Sequence, residues 1–315
     1  MLEQISVPLS VLVQEFDLEV VYRSTNFPSI RVTTEDVSRP GLPLAGYFEY
    51  FDAERLQVLG KVEISYLARM EPEAREAIFD RLLSYRFPAL IIARGLNPGE
   101  DCLRMARHYD VTVLRCKETT SYIVSSLMAY LKDALAPRIT RHGVLVDVYG
   151  EGLLLLGESG IGKSEAAVEL IKRGHRLIAD DAVEIKKASP TRLVGTAPEL
   201  LRNYIELRGI GVMNVAKLFG MGAIKEENMI NLVINIVPWS DDHVYDRLGL
   251  EEQCVDILGV KVPQLTIPVT PGRNLAVILE AAAMNNRQKE MGYNAALEFT
   301  ERINRHFADA AGHNF

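Results

Sequence analysis

Short apolar runs alternate with helically spaced segments along the first 130 or so residues. Residues 18–22, 89–93 and 111–115 are rich in Leu, Ile and Val at strand length, and a loop of Gly95-Leu96-Asn97-Pro98-Gly99 follows the second run. Residues 72–85 place their apolar side chains at helical spacing, and 121–135 predict a longer helix stopped by Pro137. This alternation predicts a small α/β domain over residues 1–132. No catalytic motif lies within it, so its expected role is assembly or regulation.

From residue 133 onward the pattern changes. Two apolar strands, 144–149 and 153–156, flank the turn residues Gly150-Glu151-Gly152 and predict a hairpin. The second strand, an unbroken run of leucines, reads as buried and leads directly into Gly157-Glu158-Ser159-Gly160-Ile161-Gly162-Lys163-Ser164. A helix over 164–172 is expected next, with Ala166, Ala167, Leu170 and Ile171 on its apolar face and Gly174 as its stop. A strand over 176–179 then ends in Asp180-Asp181. Strand, glycine loop, helix and strand form a P-loop unit, which places a kinase-type α/β catalytic domain over 133–315.

The chemistry of the loop follows from its residue types. Glycines let backbone N–H groups converge on phosphate, and the helix N-terminus adds partial positive charge. Lys163 would neutralise the outer phosphates, and the Ser164 hydroxyl would ligate Mg²⁺. Asp180 and Asp181 should face the loop, because parallel strands end on one sheet edge. Two carboxylates there suit metal coordination and acceptance of a hydroxyl proton. Strand alternation allows only one of them to point at the ligand, and spacing does not say which.

A rival acidic pair, Asp241-Asp242, lies past the strand expected over 230–237. If the hairpin turn centres on 150–151, residue i pairs near 301 minus i, and His142 falls opposite Ser159 beside the phosphates. Three more segments mix glycine with charge. Glu206 could reach Mg²⁺ and Arg208 a phosphate, Arg247 stands in Tyr245-Asp246-Arg247-Leu248-Gly249, and Arg273 ends the stiff loop Pro268-Val269-Thr270-Pro271-Gly272-Arg273.

Bulk properties narrow the class. The 315 residues are 48% hydrophobic and 24% charged, the balance of a folded globular chain, and the net charge of −7 argues against a nucleic-acid surface. Three cysteines without metal spacing fit a reducing compartment rather than a disulfide scaffold. The start carries acids rather than a basic leader, and no apolar run approaches the ~18 residues of a membrane helix. A cytoplasmic protein with no membrane or nucleic-acid partner is expected.

These residues together identify a resemblance. The chain is similar to the bifunctional HPr kinase/phosphorylase family of low-GC Gram-positive bacteria over essentially its whole length. The resemblance rests on Arg141 to Asp147, Gly157 to Glu165, Lys172 to Asp181, Glu206 to Gly211, Tyr245 to Glu252 and Leu265 to Ala276. It implies phosphoryl transfer from ATP or pyrophosphate to a serine of the phosphocarrier protein HPr. It also implies phosphorolysis by inorganic phosphate, control of carbon catabolite repression and sugar uptake, a homohexamer, and a nucleotide domain like that of phosphoenolpyruvate carboxykinase.

On the family's pattern, Asp181 is general base in one direction and general acid in the other. Lys163, His142 and Arg247 line the site, and Ser164 and Glu206 hold Mg²⁺. Residues 205–214 serve both reactions, and Pro268 to Arg273 serve dephosphorylation. A small-molecule P-loop kinase is the nearest rival. A GTPase lacks support without an Asn-Lys-x-Asp motif, and a eukaryotic-type protein kinase is excluded by the missing His-Arg-Asp and Asp-Phe-Gly. A non-catalytic nucleotide sensor would bind ATP without turnover, and the acidic pair beside the loop argues against it.

Overall fold

The computed structural model describes residues 5–240, 253–270 and 272–312, and the chain divides into two compact units, Met1–Ala136 and Pro137–Phe315. The first unit holds a sheet of β1 (Glu19–Tyr22), β2 (Val37–Ser38), β3 (Leu56–Leu59), β4 (Leu90–Ile92) and β5 (Val113–Arg115), in the order β1-β5-β4-β3-β2. All pairs are parallel except β1 with β5. Helices α1 (Leu9–Glu15) and α6 (Thr120–Ala134) supply one apolar layer. The other comes from α2 (Gly41–Leu44), α3 (Lys61–Leu67), α4 (Pro72–Leu83) and α5 (Glu100–Tyr109). Leu90 and Ile92 pack into the second layer and Ile91 into the first, which is why that strand is apolar at every position.

The second unit is built on a six-stranded sheet. Its strands are β7 (Val144–Val148), β8 (Glu151–Gly157), β9 (Arg176–Ala179), β15 (Leu232–Pro238), β16 (Gln253–Ile257) and β17 (Val260–Val269), ordered β9-β7-β8-β15-β17-β16. A four-stranded antiparallel sheet contains β6 (Arg138–His142), β10 (Ala182–Ser189), β11 (Arg192–Thr196) and β14 (Glu227–Met229). A separate hairpin joins β12 (Tyr204–Leu207) and β13 (Gly211–Asn214).

Helices α7 (Lys163–Lys172) and α8 (Leu275–Glu290) lie on one face of the large sheet, and the four-stranded sheet lies on the other. Leu153 and Leu155 face the helices and Leu154 faces the second sheet, so the leucine run is buried on both sides. The last helix, α9, is Ala295–Gly312. No helix among the described residues is long and apolar enough to cross a membrane.

The hairpin differs from its expected form. Its turn is Tyr149-Gly150, both at positive φ (56° and 92°), as a two-residue turn matched to strand twist requires. Glu151 pairs with Val148 and Leu155 with Val144, so paired numbers sum to 299 rather than 301. His142 is not on the hairpin strand at all. It ends β6, opposite Ala182 of β10, because the chain changes sheets at Gly143.

Asp147 ties this frame together. Its side chain is 3% exposed and accepts from the Gly150 N–H (2.8 Å), Arg176 (2.8 Å) and Lys225 Nζ (2.9 Å). Burial pushes its pKa up, but the hydrogen bonds and cations outweigh that and hold the carboxyl below its ordinary value. This contribution is present above the unfolded carboxyl pKa and fades as pH falls through the lower folded one. Asp147→Ala should cost about 1–3 kcal/mol, because it removes a buried acceptor of three hydrogen bonds while its partly exposed cations can turn to water. The denaturation midpoint at neutral pH measures this, and a change below about 1 kcal/mol would reduce Asp147 to a surface ion pair.

Candidate active site

Gly157 ends β8 at φ 145°, and a side chain there would run into the carbonyl oxygen of Ile236 on β15. The loop can therefore curl off the strand only with glycine at this point. It delivers Lys163 and Ser164 to the first turn of α7. Lys163 is 7% exposed and donates to the carbonyls of Gly157 (2.8 Å) and Glu158 (2.9 Å). Burial lowers its pKa, while the charges of Asp180, Asp181 and Glu165 oppose that fall.

The strand β9 ends just before Asp180, and both aspartates line one cavity of about 140 Å³ with Lys163, Ser164, His142 and Glu206. The expectation that only one of the pair could face the ligand does not hold. Asp181 sits at φ 65°, off the strand, so alternation no longer applies. Their environments differ sharply. Asp180 is 4% exposed and accepts from Ser164 Oγ (2.8 Å) and the Glu206 N–H (3.0 Å), and burial raises its pKa. The Asp181 side chain is 63% exposed and meets His142 Nδ1 at 3.0 Å. The β6–β10 pairing sets that contact, since His142 lies opposite Ala182, the residue after Asp181.

The β12–β13 hairpin closes the cavity from another side. Glu206 and Arg208 both reach it, and Arg208 donates to Ser159 Oγ at 2.9 Å. Ser164 Oγ, Asp180 and Glu206 form an oxygen-only donor set suited to Mg²⁺. Among the described residues, no group of three or more His, Cys, Asp or Glu could hold a metal ion.

Other expected residues lie elsewhere. Pro268 and Val269 are the last residues of β17 rather than part of a loop. Val269, Thr270, Gly272 and Arg273 line a second, larger cavity of about 710 Å³ beyond the glycine loop, and Arg273 donates to the Pro268 carbonyl (3.0 Å). Arg247, the pair Asp241-Asp242, and Pro271 fall outside the described residues. Sequence reasoning missed the link from Arg208 to Ser159 and the second cavity altogether. The first depends on a hairpin folding back across 49 positions, which leaves no local signal.

Comparison with known proteins bears on this arrangement. The family described as "HPr Serine kinase N terminus" matches residues 7–131, and "HPr Serine kinase C-terminal domain" matches 133–303. An HPr kinase/phosphorylase of Thermoanaerobacter sp. (strain X514) is 50% identical over 297 residues, covering 94% of this chain and 97% of that protein. One from Geobacillus kaustophilus (strain HTA426) is 47% identical over 300 residues, covering 95% and 96%. Among solved structures, the Hpr(Ser) kinase/phosphatase from Coxiella burnetii is similar at a TM-score of 0.47 and 35% identity. That match covers 51% of this chain and 98% of that one.

Proposed function

Because the chain belongs to the HPr serine kinase family, we propose that it transfers phosphate from ATP or pyrophosphate to a serine of HPr and reverses this by phosphorolysis. The observation that carries the reading is one cavity holding Lys163, the Ser164–Asp180 pair and the His142–Asp181 pair. A buried acid beside the loop serine and an exposed acid facing solvent divide two tasks that a protein kinase must perform.

Ser164, Asp180 and Glu206 would hold Mg²⁺, which neutralises charge on the transferred phosphoryl oxygens. Gly157 to Gly162 present backbone N–H groups to the donor, and Lys163 exchanges its two loop carbonyls for phosphate oxygens. Arg208, already on the loop at Ser159, adds a planar donor to the same oxygens.

Asp181 is open to an approaching hydroxyl. In the forward direction it takes the serine proton as the oxygen–phosphorus bond forms and the donor's phosphoanhydride bond breaks. In reverse it returns that proton to the serine oxygen while inorganic phosphate attacks and pyrophosphate leaves. His142 orients the carboxylate through its Nδ1 contact. The family pattern adds Arg247 to the catalytic group and gives 268–273 a role in phosphorolysis. It also supports a homohexamer, control of carbon catabolite repression, and a likeness to phosphoenolpyruvate carboxykinase.

The test uses purified HPr, Mg²⁺ and γ-labelled ATP, followed by unlabelled phosphate. Label should reach a serine of HPr and then leave as pyrophosphate. Release as orthophosphate would make the reverse reaction a hydrolysis, and no label on HPr would favour a small-molecule kinase.

A further inference from the structure

We infer that the second cavity takes the nucleoside of the donor, which deepens the reading above and rests on it. Strands β8, β15 and β17 run parallel and end on one edge of the sheet, outside which ligands of such sheets lie. The phosphate loop leaves β8 at the middle of that edge. The charged cavity lies towards β9, whereas the second is lined by Pro238 at the end of β15 and Val269 at the end of β17. Gly160 and Glu165 line both, so an elongated ligand crossing the loop would occupy the two together.

The chemistry of the two spaces differs as the two halves of a nucleotide do. The small cavity is ringed by charge. The larger has apolar walls in Ile161, Ala166, Val269 and Leu275, and its volume of about 710 Å³ is of small-molecule size. A flat heterocyclic base fits such walls, which give up little on losing water. Glu169 also lines it, six residues after Lys163 on α7 and so ~9 Å along the helix axis from the phosphate end.

A carboxylate at that point suits a pair of sugar hydroxyls and repels phosphate, so it fixes which end of the donor enters which space. An inorganic anion is a poorer occupant. Glu165 and Glu169 face it, and the Arg273 guanidinium donates to the Pro268 carbonyl. Glu169 is half-buried and paired with Arg173 (3.1 Å), an exposed-helix contact whose loss leaves the fold intact.

The two donors separate the halves, since pyrophosphate has no nucleoside. Glu169→Ala and the space-filling Glu169→Trp should each weaken ADP binding by about 10-fold or more in calorimetry, the worth of a hydrogen bond to a charged group. Pyrophosphate binding should stay within about twofold, and the KM for ATP should rise in step with the ADP dissociation constant while kcat holds. An unchanged ADP affinity in both variants overturns the inference, as does an equal loss for ADP and pyrophosphate. A wild-type chain that phosphorylates HPr from neither donor overturns the proposed function instead, and the ADP titration still decides the cavity.

Discussion

Lys163→Ala should abolish phosphoryl transfer to HPr and its reversal together, by at least about 10³ in kcat/KM, comparable to removing a preorganised charge-stabilising donor. Both directions place the same phosphoryl group against one ammonium, so neither can be spared. The structure explains why nothing nearby would compensate. Lys163 is almost wholly buried, and its two hydrogen bonds are to loop carbonyls that cannot bind phosphate themselves.

Burial also depresses its pKa, a disadvantage to the cation that the negative charge of a bound phosphate would relieve. Labelled transfer and pyrophosphate release, measured on one preparation, check the expectation. Near-normal turnover in either direction would remove the phosphate-loop assignment, while a parallel loss with an unchanged denaturation midpoint supports it.

Asp181→Asn should lower both directions by on the order of 10²–10⁴, the usual contribution of a positioned acid–base group. The amide keeps the shape and can still meet His142, so ADP binding should survive. Asp180→Asn is the informative companion. Its carboxylate is buried, accepts from Ser164 and the Glu206 N–H, and is held above its ordinary pKa by that burial. Its substitution should act through Mg²⁺, raising the metal concentration needed for half-maximal rate. If Asp180→Asn carries the proton-transfer loss at saturating Mg²⁺ and Asp181→Asn is mild, the two roles are exchanged.

Local chemistry made the glycine loop, its helix and the Arg176–Ala179 strand readable in the sequence, because glycine spacing and apolar periodicity act over a few residues. His142 was expected beside the phosphates through a hairpin register that is wrong by two. It borders the same cavity as Ser159 all the same, and meets Asp181, through a second sheet, a pairing that no repeat in the sequence announces. Alternation failed at Asp181 because one left-handed residue turns the chain off the strand. Asp147 illustrates the rest. Its partner Lys225 lies 78 positions away, and only the packed fold shows that the two meet. The second cavity depends on strand order, which periodicity does not encode.

The placement of β8 between a local partner and a distant one bears on how the protein acquires its activity. The β7–β8 hairpin closes through a two-residue turn, a contact that forms in ~1–10 μs in isolated hairpins. The pairing of β8 with β15 joins segments 79 positions apart and must wait for loop-closure entropy to be overcome. Gly157 sits against the Ile236 carbonyl, so the phosphate loop has no wall to curl over until β15 arrives. On the proposed function, competence to hold a donor is expected to come late in folding. A nascent chain, with β15 still unmade, carries the complete loop sequence without a site.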